Sequence, residues 1–439
     1  MSIAVPGADE IAVEAYVFGY PLVIMDATRR LATSVAHATA QRAPSNQFAH
    51  FRAYPDSTFT DRASPNADTL YSLAWLDLSR GPILLSVPDM GNRYYVMSLL
   101  DAWTNVVAAP GTRTTGNVAG DFAITGPGWS GRLPPKVSRI VAPTNMAWLI
   151  GRTETRGHSD YTAVRRIQER YSLRDPDSWG SGYRPPNPRC VGPWVDALTP
   201  PVTQVDRMDA ATFFSRLNAL MASNPPAAAD ADAVARFSSV GIRPGLPITE
   251  STITPALRVG VQGGRAKLSA DALRACGAVV NGWEFAPKHT GACGTDYVWR
   301  AIAAMRNLGA NLHADTTYVR ATSDADGQPL IGTRSYSIRF TDGQLPPVNA
   351  FWSITLYKSN GTFADNSLGR HAVHHPNGLC KDGDGSIVVR LQRTSPGKEC
   401  ESNWLPTPAD SFNLVLRLHW PSKVVLEGAW RPPLIKRET

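Results

Sequence analysis

The residues Ser64-Pro65-Asn66-Ala67-Asp68-Thr69-Leu70-Tyr71-Ser72 place an amide, a carboxylate, a hydroxyl and a phenol within six positions, directly ahead of the apolar run Ala74-Trp75-Leu76. Polar groups gathered at the start of a strand are where a rigid scaffold presents chemistry to a ligand. Asp68 or Asp101 would serve as a general base, and Tyr71 or Tyr95 as a proton donor if its phenol is held in a hydrogen-bond network. Arg113 and Arg152 offer forked donors for a carboxylate or an oxyanion. Asn66, Thr69, Trp103, Trp352, Tyr357, Asn403 and Trp404 complete the expected substrate contacts, the last two from a loop between strands. The competing structural reading gives Asn66 and Asp68 to turn capping, and the aromatic residues to the core.

Other chemistries are poorly supported. The chain has no GxSxG elbow, HExxH, Walker loop or GxGxxG after a strand. His371, His374 and His375 form its one histidine cluster, and a polar loop after the Trp352 strand explains them better than a metal site. No cofactor and no metal are therefore expected. Asp324-Ala325-Asp326-Gly327 and Asp382-Gly383-Asp384-Gly385 lack the terminal acid of a calcium loop and read as turns.

The elements that must carry these residues follow from periodicity. Apolar residues at Ile11, Ala15, Phe18 and Leu22 predict a helix over 8–36, kinked or split at Gly19-Tyr20-Pro21. Short alternating runs at 71–78, 83–87, 94–100, 122–125, 138–142 and 147–152 predict strands. Helices are expected over 161–171, 209–221, 230–237, 257–276 and 295–308, with a packed loop over 175–201. Strands return at 335–340, 350–357, 386–392 and 412–420. The fold class is α+β: two antiparallel β-sandwich-like units with helices at the N-terminus and between them. The boundaries are a helical segment at 1–42, a first sheet domain at 43–155, a helical connection at 156–316 and a second, jelly-roll-like domain at 317–439. The 83–99 and 336–356 stretches echo each other, which suggests an old duplication.

Length and composition bound the rest. With 439 residues and 43% apolar content, the chain can fill more than one core. Its net charge of +7 is spread out rather than clustered, which argues against nucleic acid. No apolar run is expected to span a bilayer, and the start lacks a signal peptide. The chain as written is cytoplasmic, or periplasmic or secreted if a leader has been removed. Cys380 with Cys400, or Cys276 with Cys293, could close a disulfide, and five reduced thiols are the equal alternative. A homo-oligomer is compatible with this reading.

Several ordered motifs resemble a known family. Asn46-Gln47-Phe48-Ala49-His50, the 65–72 segment, Asp101-Ala102-Trp103-Thr104, the 111–116 segment and Gly126-Pro127-Gly128-Trp129 resemble domain of unknown function twelve fifty-four. Gly294-Thr295-Asp296-Tyr297, Ala350-Phe351-Trp352-Ser353, Ser395-Pro396-Gly397-Lys398, the 401–406 segment and Trp420-Pro421 resemble domain of unknown function twelve fourteen. The resemblance implies a bacterial two-domain protein of helices and sandwiches, often exported, and brings no reaction with it. From the residues, the expectation is a metal-independent acid–base enzyme, hydrolase or lyase, acting on a polar small molecule or sugar between the β units. The alternatives are a non-catalytic carbohydrate or small-molecule binding protein, or an envelope-associated structural protein.

Overall fold

The computed structural model describes residues 7–58, 64–179, 196–274, 277–376 and 378–438. Its first element is a single helix, Ala8–Ala32, which runs through Pro21 without the expected break. Pro21 withholds one backbone N–H, worth about 3 kcal/mol inside a helix. Burying Phe18, Leu22, Val23, Ile24 and Met25 returns about 1.5–3 kcal/mol for each, so packing wins. Gly19 makes room for a neighbour: a Cβ there would lie 2.4 Å from Leu217 Cδ2. From Ala15 to Thr28 the helix is buried on every side, and Asp26 is the one charged residue of that stretch. It corrects the expectation of no spanning-length run, since one window reaches a mean hydropathy of 1.3, although 83% of that window is covered by the rest of the protein.

Two sheet units follow. In the first, a five-stranded sheet runs in the order Ala49–His50, Thr69–Asp77, Met146–Glu154, Tyr95–Asp101, Val106–Ala108. Against it lies a four-stranded sheet ordered Ser138–Val141, Gly120–Thr125, Ile83–Val87, Ser172–Arg174. Strand alternation sends Leu76, Met97 and Leu149 inward to meet Leu85, Ile124 and Leu173. In the second unit the larger sheet is ordered Val279–Val280, Trp283–Phe285, Thr316–Ala321, Phe412–Pro421, Val348–Lys358, Ala372–His375. Its partner sheet is ordered Trp404–Pro406, Ile387–Gln392, Tyr336–Phe340, Ile435–Arg437. Val319, Ile354 and Leu416 pack there against Ile338, Val389 and Leu391.

The units share one strand order, with Val279–Val280 the additional strand of the second. In each larger sheet a long strand near the C-terminal end of the unit lies between two earlier ones: Met146–Glu154 between Thr69–Asp77 and Tyr95–Asp101, and Phe412–Pro421 between Thr316–Ala321 and Val348–Lys358. In each smaller sheet one neighbouring pair is parallel, Gly120–Thr125 with Ser138–Val141 and Ile387–Gln392 with Trp404–Pro406. The sheets are therefore not wholly antiparallel, because the chain crosses over before each of these short strands instead of turning back in a hairpin.

Helices fill the outer face of the first large sheet. Ala210–Ser223 is capped by Asp209, which accepts from the Thr212 amide at 2.8 Å, and Tyr297–Arg306 by Asp296, which accepts from Trp299 at 3.0 Å. Phe214, Leu257 and Ile302 join Leu73, Trp75 and Trp148 in one core. Ala372–His375, expected as loop, is an edge strand with His374 opposite Ser353. Cys293, Cys380 and Cys400 are unbonded, and the Asn403 side chain ties the loop at Cys380 instead, through bonds of 2.7 and 2.8 Å to its backbone. Cys190, Cys276 and much of the expected 175–201 loop lie outside the described residues.

Candidate functional site

Strand register brings the chemistry together. Tyr71 stands directly opposite Arg152 on the neighbouring strand, on the face that carries Leu73 and Trp75. The Arg152 guanidinium carbon lies 5.3 Å from the centre of the Tyr71 ring. In the second unit Tyr318 stands opposite Arg417 in the same way. Each tyrosine follows an aspartate by three residues, in Ala67-Asp68-Thr69-Leu70-Tyr71 and in Ala314-Asp315-Thr316-Thr317-Tyr318. Both tyrosines and both of these arginines line one cavity of about 680 Å³, whose lining also includes Ile24, Ile302 and Leu308 and the further charged residues Glu284, Arg306 and Arg320.

Beneath this cavity Asp68 is fully buried and does not line it. The Asn66 side chain shapes the turn, accepting from the Asp68 and Thr69 amides and donating to the Thr69 hydroxyl at 3.0 Å. His374 Nε2 lies 3.1 Å from one carboxylate oxygen and 2.9 Å from the Ala67 carbonyl, so that nitrogen carries the hydrogen. His419 Nε2 approaches the other oxygen at 3.4 Å, and Arg417 Nε lies 3.9 Å away. Burial alone would raise the Asp68 pKa, but the bonds from His374 and His419 and the charge of Arg417 outweigh it and hold the acid well below its usual range. A carboxylate so committed is a fixed anion and a poor base.

A hydrogen-bonded chain joins the two units. Arg152 donates to the Asn311 side-chain oxygen, which also accepts from Ser98 at 2.9 Å. The Asn311 amide nitrogen donates to Thr316 Oγ1 at 2.9 Å, leaving the Thr316 hydroxyl to donate to His419 Nδ1 at 3.3 Å. His419 Nε2 therefore bears its hydrogen toward Asp68. Burial lowers the His419 pKa against the opposing pull of Asp68, which keeps the ring neutral.

The two arginines differ in their partners. Arg417 donates to Thr355 at 2.8 Å, to Tyr357 at 2.7 Å and to the Ser64 carbonyl at 3.3 Å, with Asp68 beside it. Arg152 has the Gly309 carbonyl at 2.6 Å and Asn311, and no ion pair among the described residues. Its charge acts on Tyr71: burial pushes that phenol up, but Arg152, Arg417 and Asn66 outweigh burial and the pKa falls below its ordinary value.

Of the expected site residues, Tyr71, Asn66 and Arg152 meet at the cavity. Asp101 does not join them. It pairs with Ala147, five residues along the strand from Arg152, about 17 Å away at strand spacing, and it accepts from the Trp103 and Asn105 amides at 2.9 Å each. Tyr95 faces the opposite side of its sheet and donates to the Gly116 carbonyl at 3.2 Å. Trp103 is packed against Phe18 and donates to the Asn224 carbonyl, because the helical layer covers it. Arg113 is engaged across the units by Asp315, at 2.6 and 3.0 Å. Trp352 fills the second core, Tyr357 donates to the Pro65 carbonyl at 2.6 Å, and Asn403 and Trp404 bond backbone groups of their own unit. The histidines diverge: His371 stacks on Phe363, His375 on Trp352, and His374 turns to Asp68.

Tyr318, Arg417, His419, Asn311 and Asp315 escaped the sequence reading. The repeated Ala-Asp-Thr-x-Tyr was a usable signal. So was the 413–419 segment, where Asn413, Arg417 and His419 alternate with Leu414, Leu416 and Leu418.

Comparisons with known proteins agree with this architecture. The VPA0106 protein from Vibrio parahaemolyticus shares the fold, with a TM-score of 0.74 over 99% of this chain and 100% of that one, at 22% identity. An uncharacterized protein from Burkholderia cenocepacia is more distant, with a TM-score of 0.46 and 13% identity over 97% of this chain and 89% of that one. No curated protein matches the sequence. Residues 45–175 match the family described as Protein of unknown function (DUF1254), and residues 315–423 match Protein of unknown function (DUF1214), the second match opening on Asp315. One family match falls on each sheet unit, and the chain belongs to the proteins that place a DUF1254 domain ahead of a DUF1214 domain.

Proposed function

We propose that the protein is an acid–base enzyme of lyase or hydrolase type, with Tyr71 moving the proton and Arg152 stabilising negative charge. The observation that carries this reading is a phenol of lowered pKa beside a buried guanidinium with no carboxylate of its own. In an elimination, Tyr71 as phenolate takes a proton next to a carbonyl, and the C–H electron pair passes into an enolate whose oxygen rests on Arg152. Collapse of the enolate expels a β-leaving group, which recovers the proton from Tyr71. Asp68 takes no proton in this scheme and acts by fixing His419 and Arg417.

The test is turnover of a panel of β-substituted carboxylic acids and esters, with products read by mass spectrometry. Tyr71→Phe is expected to lose about 10²-fold or more in kcat while still binding. A Tyr71→Phe protein with the parent's activity would overturn the assignment. Ligands held tightly by the parent and recovered unchanged would leave a binding protein in its place.

A further inference from the structure

We infer that the protein carries a second catalytic centre, in a cavity apart from that of Tyr71, where His374 acts as general base on a water that attacks a carboxylic ester. This cavity, of about 700 Å³, is lined by residues 154–159 of the first unit and by the edge strand Ala372–His375 of the second. Its lining shares only Pro55 with that of the other cavity.

His374 and Asp68 form an oriented pair at its wall. The Asp68 carboxylate is sealed, and the hydrogen on His374 Nε2 points between it, at 3.1 Å, and the Ala67 carbonyl, at 2.9 Å. The lone pair of the neutral ring is therefore on Nδ1. That nitrogen has no hydrogen-bond partner among the described residues and is not sealed, and the side chain, 22% exposed, lines the cavity. A buried carboxylate behind an imidazole fixes its tautomer and steadies the cation that forms when the far nitrogen takes a proton.

The nucleophile is water rather than a side chain. Ser353 stands opposite His374 on the neighbouring strand, but its hydroxyl is buried, lines neither cavity and makes no hydrogen bond to the ring. In the reaction Nδ1 removes a proton from water as the water oxygen bonds to the ester carbonyl carbon, and the carbonyl electron pair moves onto its oxygen. Arg370, on the same lining, gives Nη1 to the Glu401 and Trp404 carbonyls and has further N–H groups to donate to that oxyanion. When the pair returns, the ester C–O bond breaks and the leaving alkoxide takes the proton back from Nδ1, giving acid and alcohol.

The test is hydrolysis of p-nitrophenyl acetate by the full chain. Saturable turnover is expected, with kcat/KM lowered about 10²-fold or more in His374→Gln, whose amide can still donate to Asp68 and keep the strand in place. His374→Ala is expected to lose the same activity and to regain part of it when imidazole is added, which a merely structural histidine would not allow. His37→Ala, at an exposed position away from the cavity, is expected to keep the parent rate. A parent whose hydrolysis does not saturate overturns the assignment, as does a His374→Gln protein with the parent's kcat/KM. A burst of nitrophenolate with a stable acyl group on a serine overturns water as the nucleophile; this and the saturation are measured on the parent and depend on no variant. None of these outcomes touches the Tyr71 assignment, which is read from the turnover of Tyr71→Phe.

Discussion

The tyrosine–arginine pair of the first unit and that of the second stand in the same cross-strand register on similarly built sheets, yet their surroundings differ. Arg417 is saturated by a carboxylate, a phenol, a hydroxyl and a carbonyl. Arg152 leans on one carbonyl, one amide and a tyrosine ring. The same geometry occurs twice, and the partners decide what each pair does with it. A compensated buried cation holds structure together, whereas an uncompensated one lowers stability and keeps a field available for a ligand.

The aspartates extend the contrast. Asp68 of the first unit is held by His374, His419 and Arg417 of the second, and Asp315 at the start of the second is held by Arg113 of the first. Each unit supplies the counter-charge of the other.

These differences can be tested by substitution. Arg417→Met strands a buried carboxylate and should destabilise by about 3–5 kcal/mol in chemical denaturation, whereas Arg152→Met should stay within about 1 kcal/mol or gain stability. Equal losses for the two would erase the contrast. Arg113→Met should cost about 2–3 kcal/mol, less than Arg417→Met, because the Arg113 side chain is 26% exposed and solvent can partly replace it. Asp68→Asn should lose about 1.5–3 kcal/mol at neutral pH. Because the folded Asp68 pKa is depressed, its contribution is complete above the unfolded value of about 3.9 and disappears as pH falls below it. The stability gap between parent and Asp68→Asn should therefore be constant from pH 8 to pH 5 and shrink in more acidic buffer. An unchanged gap at pH 3 would remove Asp68 from the ion-pair scheme. The smallest effect is expected for Tyr318→Phe, within about 0.5 kcal/mol in stability and with turnover kept, against the loss expected for Tyr71→Phe.

Much of the fold was legible because strands with one buried face alternate strictly. The run Ile83–Val87 was delimited to the residue, and the 386–392 and 412–420 runs came within a residue of their strands. The helix expected at 8–36 was legible at its start but ends at Ala32, and its continuity was not legible, since Pro21 is a local signal and the packing that overrides it is tertiary. Ala372–His375 was lost because a four-residue edge strand rich in histidine has no period to read. At the site, Asn66, Asp68, Tyr71 and Arg152 could be picked out because their types and crowding are unusual. Asp101, Tyr95 and Trp103 have the same types, and only sheet face and strand position separate them from the cavity. Arg417 and His419 were invisible as partners of Asp68, because about 350 residues of chain separate groups that touch.

The reciprocal clamping of Asp68 and Asp315 also limits how the molecule can be divided. Although each sandwich has a core of its own, cutting the chain between them would leave each fragment with a bare acid whose neutralising groups are on the other piece. Either module expressed by itself would present to solvent a carboxylate that the intact chain neutralises with the other.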